Sequence, residues 1–188
     1  VKRSDRPFAD EFRSRTAELA EFGVAALGPL YDLTARRLVR YASMIARQQQ
    51  DAEDAVHTAL TKLADRPSLL VHLDAPWPYL LRMVRNEALL LRRKQARVHG
   101  AHDLSQLLTY CRVDELEQED DYQRIWQSLR KLPTEQSEVI ALKLWEHMTF
   151  AQIAEVLVIS PNTAASRYRY GLEKLAILLH EFAEAGHE

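Results

Sequence analysis

Residues 149–175 read TFAQIAEVLVISPNTAASRYRYGLEKL, and two helix starts stand close together in this stretch. Thr149-Phe150-Ala151-Gln152 has capping-box form, with Thr149 as N-cap and the Gln152 side chain reaching back to it. Ser160-Pro161 sets an N-cap serine directly before a proline at the first helical position, where the missing N–H has no intrahelical partner to lose. Between the two starts, Ile153, Ala154 and Leu157 face inward and Ile159 bridges the turn. Beyond Ser160 the apolar positions Ala164, Tyr168, Leu172, Leu175 and Leu179 return at helical spacing, which leaves Asn162, Thr163, Ala165, Ser166 and Arg169 on or near the opposite face. Two short helices joined by so tight a turn form the helix-turn-helix plan. In that plan the second helix enters the major groove, with side chains near its N-terminus at base edges. Arg167 is then placed for a phosphate. On pattern alone, a plain helical hairpin within a core is an equal reading.

Helical periodicity continues in both directions. Pro133 separates a helix bearing Ile125, Trp126, Leu129 and Leu132 from one bearing Val139, Ile140, Leu142 and Leu144. In the first half, Leu27, Leu30, Tyr31, Leu33, Thr34, Leu38, Tyr41, Ala42 and Ile45 form one amphipathic stripe. A second helix is expected to start near Asp51, an acceptable N-cap, with the stripe Ala52, Ala55, Val56, Ala59, Leu60 and Leu63 and an end at Pro67. Pro76 and Pro78 open a third, from about Trp77 to Lys94, since proline is tolerated only in a first turn. The expected fold is all-α: two small helical domains joined by a linker.

Composition narrows the function classes. Of 188 residues, 47% are hydrophobic and 28% charged, the balance of a folded chain and not a disordered one. Cys111 stands alone, so no intramolecular disulfide can form. No apolar run approaches the roughly 18–20 residues a bilayer requires, and Val1 to Asp10 lacks a signal-peptide core. A soluble, cytoplasmic protein without membrane insertion is expected. No glycine-rich phosphate loop, His-Glu-x-x-His or cysteine cluster is present, and His99 and His102 have no further ligands near them. Neither an enzyme, a metal site nor a cofactor is expected. The net charge of −2 conceals a polarised distribution. Arg82, Arg85, Arg92, Arg93, Lys94 and Arg97 are opposed by Glu87 alone, whereas Asp114 to Asp121 holds six acids and no base. A basic block followed by an acidic one suggests two domains and a spacer.

Leu132-Pro133, Gln136, Glu138-Val139, Phe150, Ile153-Ala154, Ile159-Ser160, Thr163, Ser166-Arg167, Leu172 and Leu175 resemble region 4 of bacterial RNA polymerase sigma factors. Asp51-Ala52-Glu53-Asp54-Ala55-Val56 is similar to the start of region 2.2, and Tyr79-Leu80-Leu81-Arg82-Met83-Val84-Arg85-Asn86 with Arg92-Arg93-Lys94 to regions 2.3 and 2.4. The two regions with no domain between them resemble the extracytoplasmic-function (ECF) type. The family often has Gly where Val158 stands, a basic residue at Ala165, Arg at Tyr170, Gln-Glu at His57-Thr58 and Asp at Leu90.

The resemblance implies an N-terminal extension over 1–21, a region 2-like domain over 22–97, an acidic linker over 98–119 and a region 4-like domain over 120–182. It implies core-polymerase contacts at Asp51, Glu53, Asp54 and His57. The minus-ten contacts would be Trp77, Tyr79, Arg82, Arg85, Asn86, Arg92, Arg93 and Lys94. Those at the minus-thirty-five element would be Ser160, Asn162, Thr163, Ala165, Ser166, Arg167 and Arg169. Melted DNA is held by cationic grooves with aromatic contacts to unstacked bases, and the block around Trp77 and Tyr79 contains both. Read residue by residue, Trp77 and Tyr79 better fit an ordinary core pair beneath a solvated basic face, whereas the arginine cluster better fits phosphate contact. The acidic linker is either a solvated spacer or, by the resemblance, a segment threading toward the polymerase active centre. The implied partners are bacterial RNA polymerase core, promoter DNA and an anti-sigma factor, although no residue marks the last. A stand-alone helix-turn-helix regulator and a sigma-like decoy that binds polymerase without supporting initiation are the alternatives.

Overall fold

The computed structural model describes residues 6–46, 48–99 and 120–185. Through them run α1 (Arg6–Phe22), α2 (Leu27–Ile45), α3 (Gln49–Ala64), α4 (Pro76–His99), α5 (Asp120–Lys131), α6 (Thr134–Leu144), α7 (Phe150–Leu157) and α8 (Pro161–Ala185), with no strand among the described residues. The all-α expectation holds. The helices fall into two compact units, α1–α4 within residues 1–109 and α5–α8 within 110–188. The acidic run expected as a linker lies outside the described residues, apart from its first two positions, Val98 and His99, which still belong to α4.

In the first unit α3 packs against both α2 and α4. The stripe from Ala52 to Leu63 is buried in full, and so are Leu30, Leu38, Tyr41 and Ile45 on α2 and Leu80, Leu81, Val84 and Ala88 on α4. Tyr31, expected on the α2 stripe, is exposed instead. Asp51 is not an N-cap: α3 begins two residues earlier at Gln49, and Asp51 lies inside its first turn. Its carboxylate instead accepts a hydrogen bond at 2.5 Å from the side-chain amide of Gln95 on α4. Gln95, Ala96 and Arg97 are good helix formers, which accounts for α4 running five residues past Lys94.

The segment expected as an N-terminal extension is part of this unit. Phe12 and Leu19 of α1 are as buried as any residue in the fold, and burial of such side chains contributes roughly 1.5–3 kcal/mol each. Phe12 stacks on Phe8 at 5.9 Å between centroids, and the Arg37 guanidinium of α2 lies 3.8 Å above the Phe8 ring. Arg13 donates to the Asp74 carbonyl at 3.1 Å, tying α1 to the segment that leads into α4.

In the second unit Trp126 and Leu129 of α5, Leu132 just past its end, Val139, Ile140 and Leu142 of α6 and Ile153, Ala154, Val156 and Leu157 of α7 form the core with Ala164 and Leu175 of α8. Leu144 ends α6 in solvent, off the stripe expected for it. Trp126 and Trp145 stack at 5.1 Å. Where α8 crosses α6, a Cβ added at Gly171 would come within 2.8 Å of Ile140 Cδ1 and 3.2 Å of Gln136 Cβ. The missing side chain is what admits the close approach.

Candidate nucleic-acid interface

Both caps of the second unit form as the local sequence dictates. Thr149 Oγ1 accepts from the Gln152 N–H at 3.3 Å, and Gln152 Oε1 accepts from the Thr149 N–H at 2.9 Å. Ser160 Oγ accepts from the Thr163 N–H at 3.0 Å and lies 2.8 Å from the Thr163 hydroxyl. The turn between α7 and α8 hinges on Val158, which adopts the left-handed conformation (φ 57°, ψ 53°) and leaves its side chain 73% exposed. The Ile159 N–H then bonds the Ala154 carbonyl at 3.1 Å, closing the turn as a Schellman motif does.

These constraints fix the rotation of α8 about its axis. Buried Ala164 faces α7, and Tyr168 meets Phe150 edge-on at 5.7 Å. Asn162, Thr163, Ser166 and Arg169 are exposed on the opposite side, Ser160 is exposed at the cap, and Ala165 and Arg167 flank the face half-buried. All seven residues expected at the minus-thirty-five element thus lie at or beside one end of one helix face. Tyr170 stands out in the sequence only as a departure from the family pattern and is not among the expected site residues. It is 50% exposed, and Arg169 leans over it, with Cζ 4.9 Å from the ring centroid and Nη2 3.2 Å from the hydroxyl.

In the first unit the basic helix is α4. Asn86, Arg93, Lys94 and Arg97 are exposed, and Arg82, Arg85 and Arg92 are half-exposed. Glu87, the one acid of the block, is taken up by Lys62 of α3 at 2.7 Å. Tyr79 is half-buried with the Arg82 guanidinium 5.1 Å from its ring centroid. Trp77 sits edge-on to Phe8 at 5.0 Å and to Phe12 at 5.2 Å, which favours the packing reading of that residue over a base contact. On α3, Glu53, Asp54 and His57 are exposed along one side, while Asp51 is half-buried against Gln95. Among the described residues no group of three or more His, Cys, Asp or Glu could hold a metal ion, and no helix is long and apolar enough to cross a membrane.

Comparison with known proteins finds matches to two sigma-70 regions. The family model described as sigma-70 region 2 matches residues 30–98, and that described as sigma-70, region 4 matches residues 122–175. The ECF RNA polymerase sigma factor SigL of Mycobacterium tuberculosis is 29% identical over 171 residues, covering 89% of this chain and 97% of the relative. The chain belongs to the ECF sigma factors. Two solved structures share the sigma-factor fold. CnrH in complex with the cytosolic domain of CnrY is 22% identical, with a TM-score of 0.62 and 90% of this chain and 97% of that one covered. The sigma factor RpoE in complex with the anti-sigma factor NepR from Bartonella quintana is 21% identical, with a TM-score of 0.69 and 84% and 98% covered. In this sigma factor α4 is the basic helix of region 2, and α7 and α8 are the helix-turn-helix of region 4. Helix α1 precedes the region 2 match, yet it carries part of that unit's core.

Proposed function

We propose that the chain binds core RNA polymerase and directs promoter-specific transcription initiation, acting in the cytoplasm as a non-enzymatic specificity subunit. The observation that carries this reading is the pairing, in one chain, of a region 2 match and a region 4 match on two separately folded helical units. In this reading Asp51, Glu53, Asp54 and His57 on α3 engage the polymerase. Tyr79, Arg82, Arg85, Asn86, Arg92, Arg93 and Lys94 grip the minus-ten element as it melts, the cations neutralising phosphates. Ser160, Asn162, Thr163, Ala165, Ser166, Arg167 and Arg169 meet the minus-thirty-five duplex, the N-terminal residues at base edges and the later ones toward the backbone. Ser160 contributes mainly by holding the start of the helix, since its hydroxyl is engaged in the cap.

A stand-alone regulator is disfavoured because region 2 occupies the half of the chain that would house its sensor. An anti-sigma partner is proposed from the likeness to RpoE, whose solved structure holds the anti-sigma factor NepR. The direct test of the polymerase contact is the affinity of the full chain for purified core enzyme. Asp54→Ala is expected to weaken it about tenfold while leaving the thermal melt unchanged, because Asp54 is exposed. Core binding equal to wild type would show that α3 is not the docking helix.

A further inference from the structure

Neighbouring positions on a helix do not face one another, so contact between residues i and i+1 requires the longer side chain to bend sideways. Arg169 does this. Its Nη2 donates to the Tyr170 hydroxyl at 3.2 Å, and its Cζ lies 4.9 Å from the centre of the same ring. Both residues are exposed, on the side of α8 away from Ala164 and Leu175. An unrestrained arginine on such a surface would sample many rotamers and lose that freedom on binding. Here one guanidinium donor is engaged by the Tyr170 hydroxyl, with the ring close beside it, and the remaining donors are left for a ligand with acceptor oxygens.

Position along the helix selects that ligand. Arg169 lies in the third turn of α8, beyond the N-terminal residues that reach base edges, where a helix seated in the major groove runs out toward the groove wall. The acceptors there are phosphate oxygens. One turn further on the same stripe stands Glu173, also exposed, whose charge would repel phosphates.

Resting on the sigma-factor reading above, we infer that Tyr170 is a positioning residue for promoter recognition, holding Arg169 pre-set for a backbone phosphate of the upstream duplex. Arg169 makes the contact, and Tyr170 acts only through it.

The test uses the holoenzyme, core polymerase with the full chain, and a duplex promoter selected by the wild-type holoenzyme from a random-sequence pool. Arg169→Ala is expected to weaken binding about tenfold across upstream sequences alike, and to lower the slope of log affinity against log salt by about 1. Tyr170→Ala is expected to weaken binding about threefold, with the slope unchanged because the charge remains. Tyr170→Phe, which keeps the ring, recovers part of that loss. In the Arg169→Ala background, Tyr170→Ala has no further effect. A Tyr170→Ala loss that persists in that background would overturn the inference, since Tyr170 would then touch DNA itself. A loss for Arg169→Ala confined to one base pair would overturn it as well, pointing to a base edge instead of a phosphate. Both outcomes leave the sigma-factor reading standing. Failure of the wild-type holoenzyme to select any promoter would remove that reading and this inference together.

Discussion

Gln95, near the end of α4, donates its side-chain amide to the carboxylate of Asp51 in the first turn of α3, joining the basic helix of region 2 to the helix proposed to face the polymerase. Burial at this junction pushes the Asp51 carboxyl above its ordinary value of 3.8; the Gln95 amide pulls it partly back, and the neighbouring Asp54 pushes it further up. The native state therefore holds this proton more tightly than the unfolded chain does. The stability Asp51 contributes is fully present below pH 3.8 and is lost as pH rises through the raised native value. Urea melts of wild type and Asp51→Asn over that interval are expected to show wild type losing ground to the variant with increasing pH. A difference that does not change with pH, or that changes in the opposite sense, would contradict this account of the junction.

Val158 is a β-branched residue in a left-handed turn, where a Cβ costs roughly 1–2 kcal/mol. Glycine there would remove that strain at the expense of a more flexible unfolded chain. The net expectation for Val158→Gly is a gain of about 1 kcal/mol in the stability of the second unit. Thermal denaturation of the full chain measures it, with a lower melting temperature as the contrary result. Because the Val158 side chain is 73% exposed, lost packing offsets little of the gain.

Phe12 tests whether α1 belongs to the folded unit. It is 1% exposed and touches both Phe8 and Trp77. Phe12→Ala is expected to destabilise the first unit by about 3–5 kcal/mol, the range for emptying a buried aromatic site. An unchanged denaturant midpoint would mean that α1 is an ornament on region 2.

The features legible in the sequence were those decided within a turn or two of helix. The Thr149 and Ser160 caps depend on residues three positions apart, and the Ala52-to-Leu63 stripe needs only the helical period. What escaped depends on contacts between distant segments. Helix α1 carries a dense mixture of charges with only a thin apolar line through Phe8, Phe12 and Leu19, and its purpose becomes plain when Trp77 and Arg37 close around Phe8. Asp51 had the chemistry of an N-cap, but Gln49 and Gln50 extend the helix before it and Gln95, distant in sequence, claims its carboxylate. Trp77 fits two readings in the sequence, and the ring neighbours that weigh toward packing, Phe8 and Phe12, come from a helix distant in sequence. The Arg169–Tyr170 contact joins adjacent residues, yet periodicity assigns them to no common face, so pattern reading passes over it.

The central claim is that one chain supplies both promoter grips to the polymerase. Its most direct measurement is run-off transcription by purified core enzyme with and without the full chain, on templates carrying candidate promoters. The expected result is a discrete transcript that requires the chain, starts a fixed distance downstream of the two promoter elements and disappears when either element is scrambled. Tight core binding with no promoter-dependent transcript from any template would contradict the claim and leave a polymerase-binding decoy in its place.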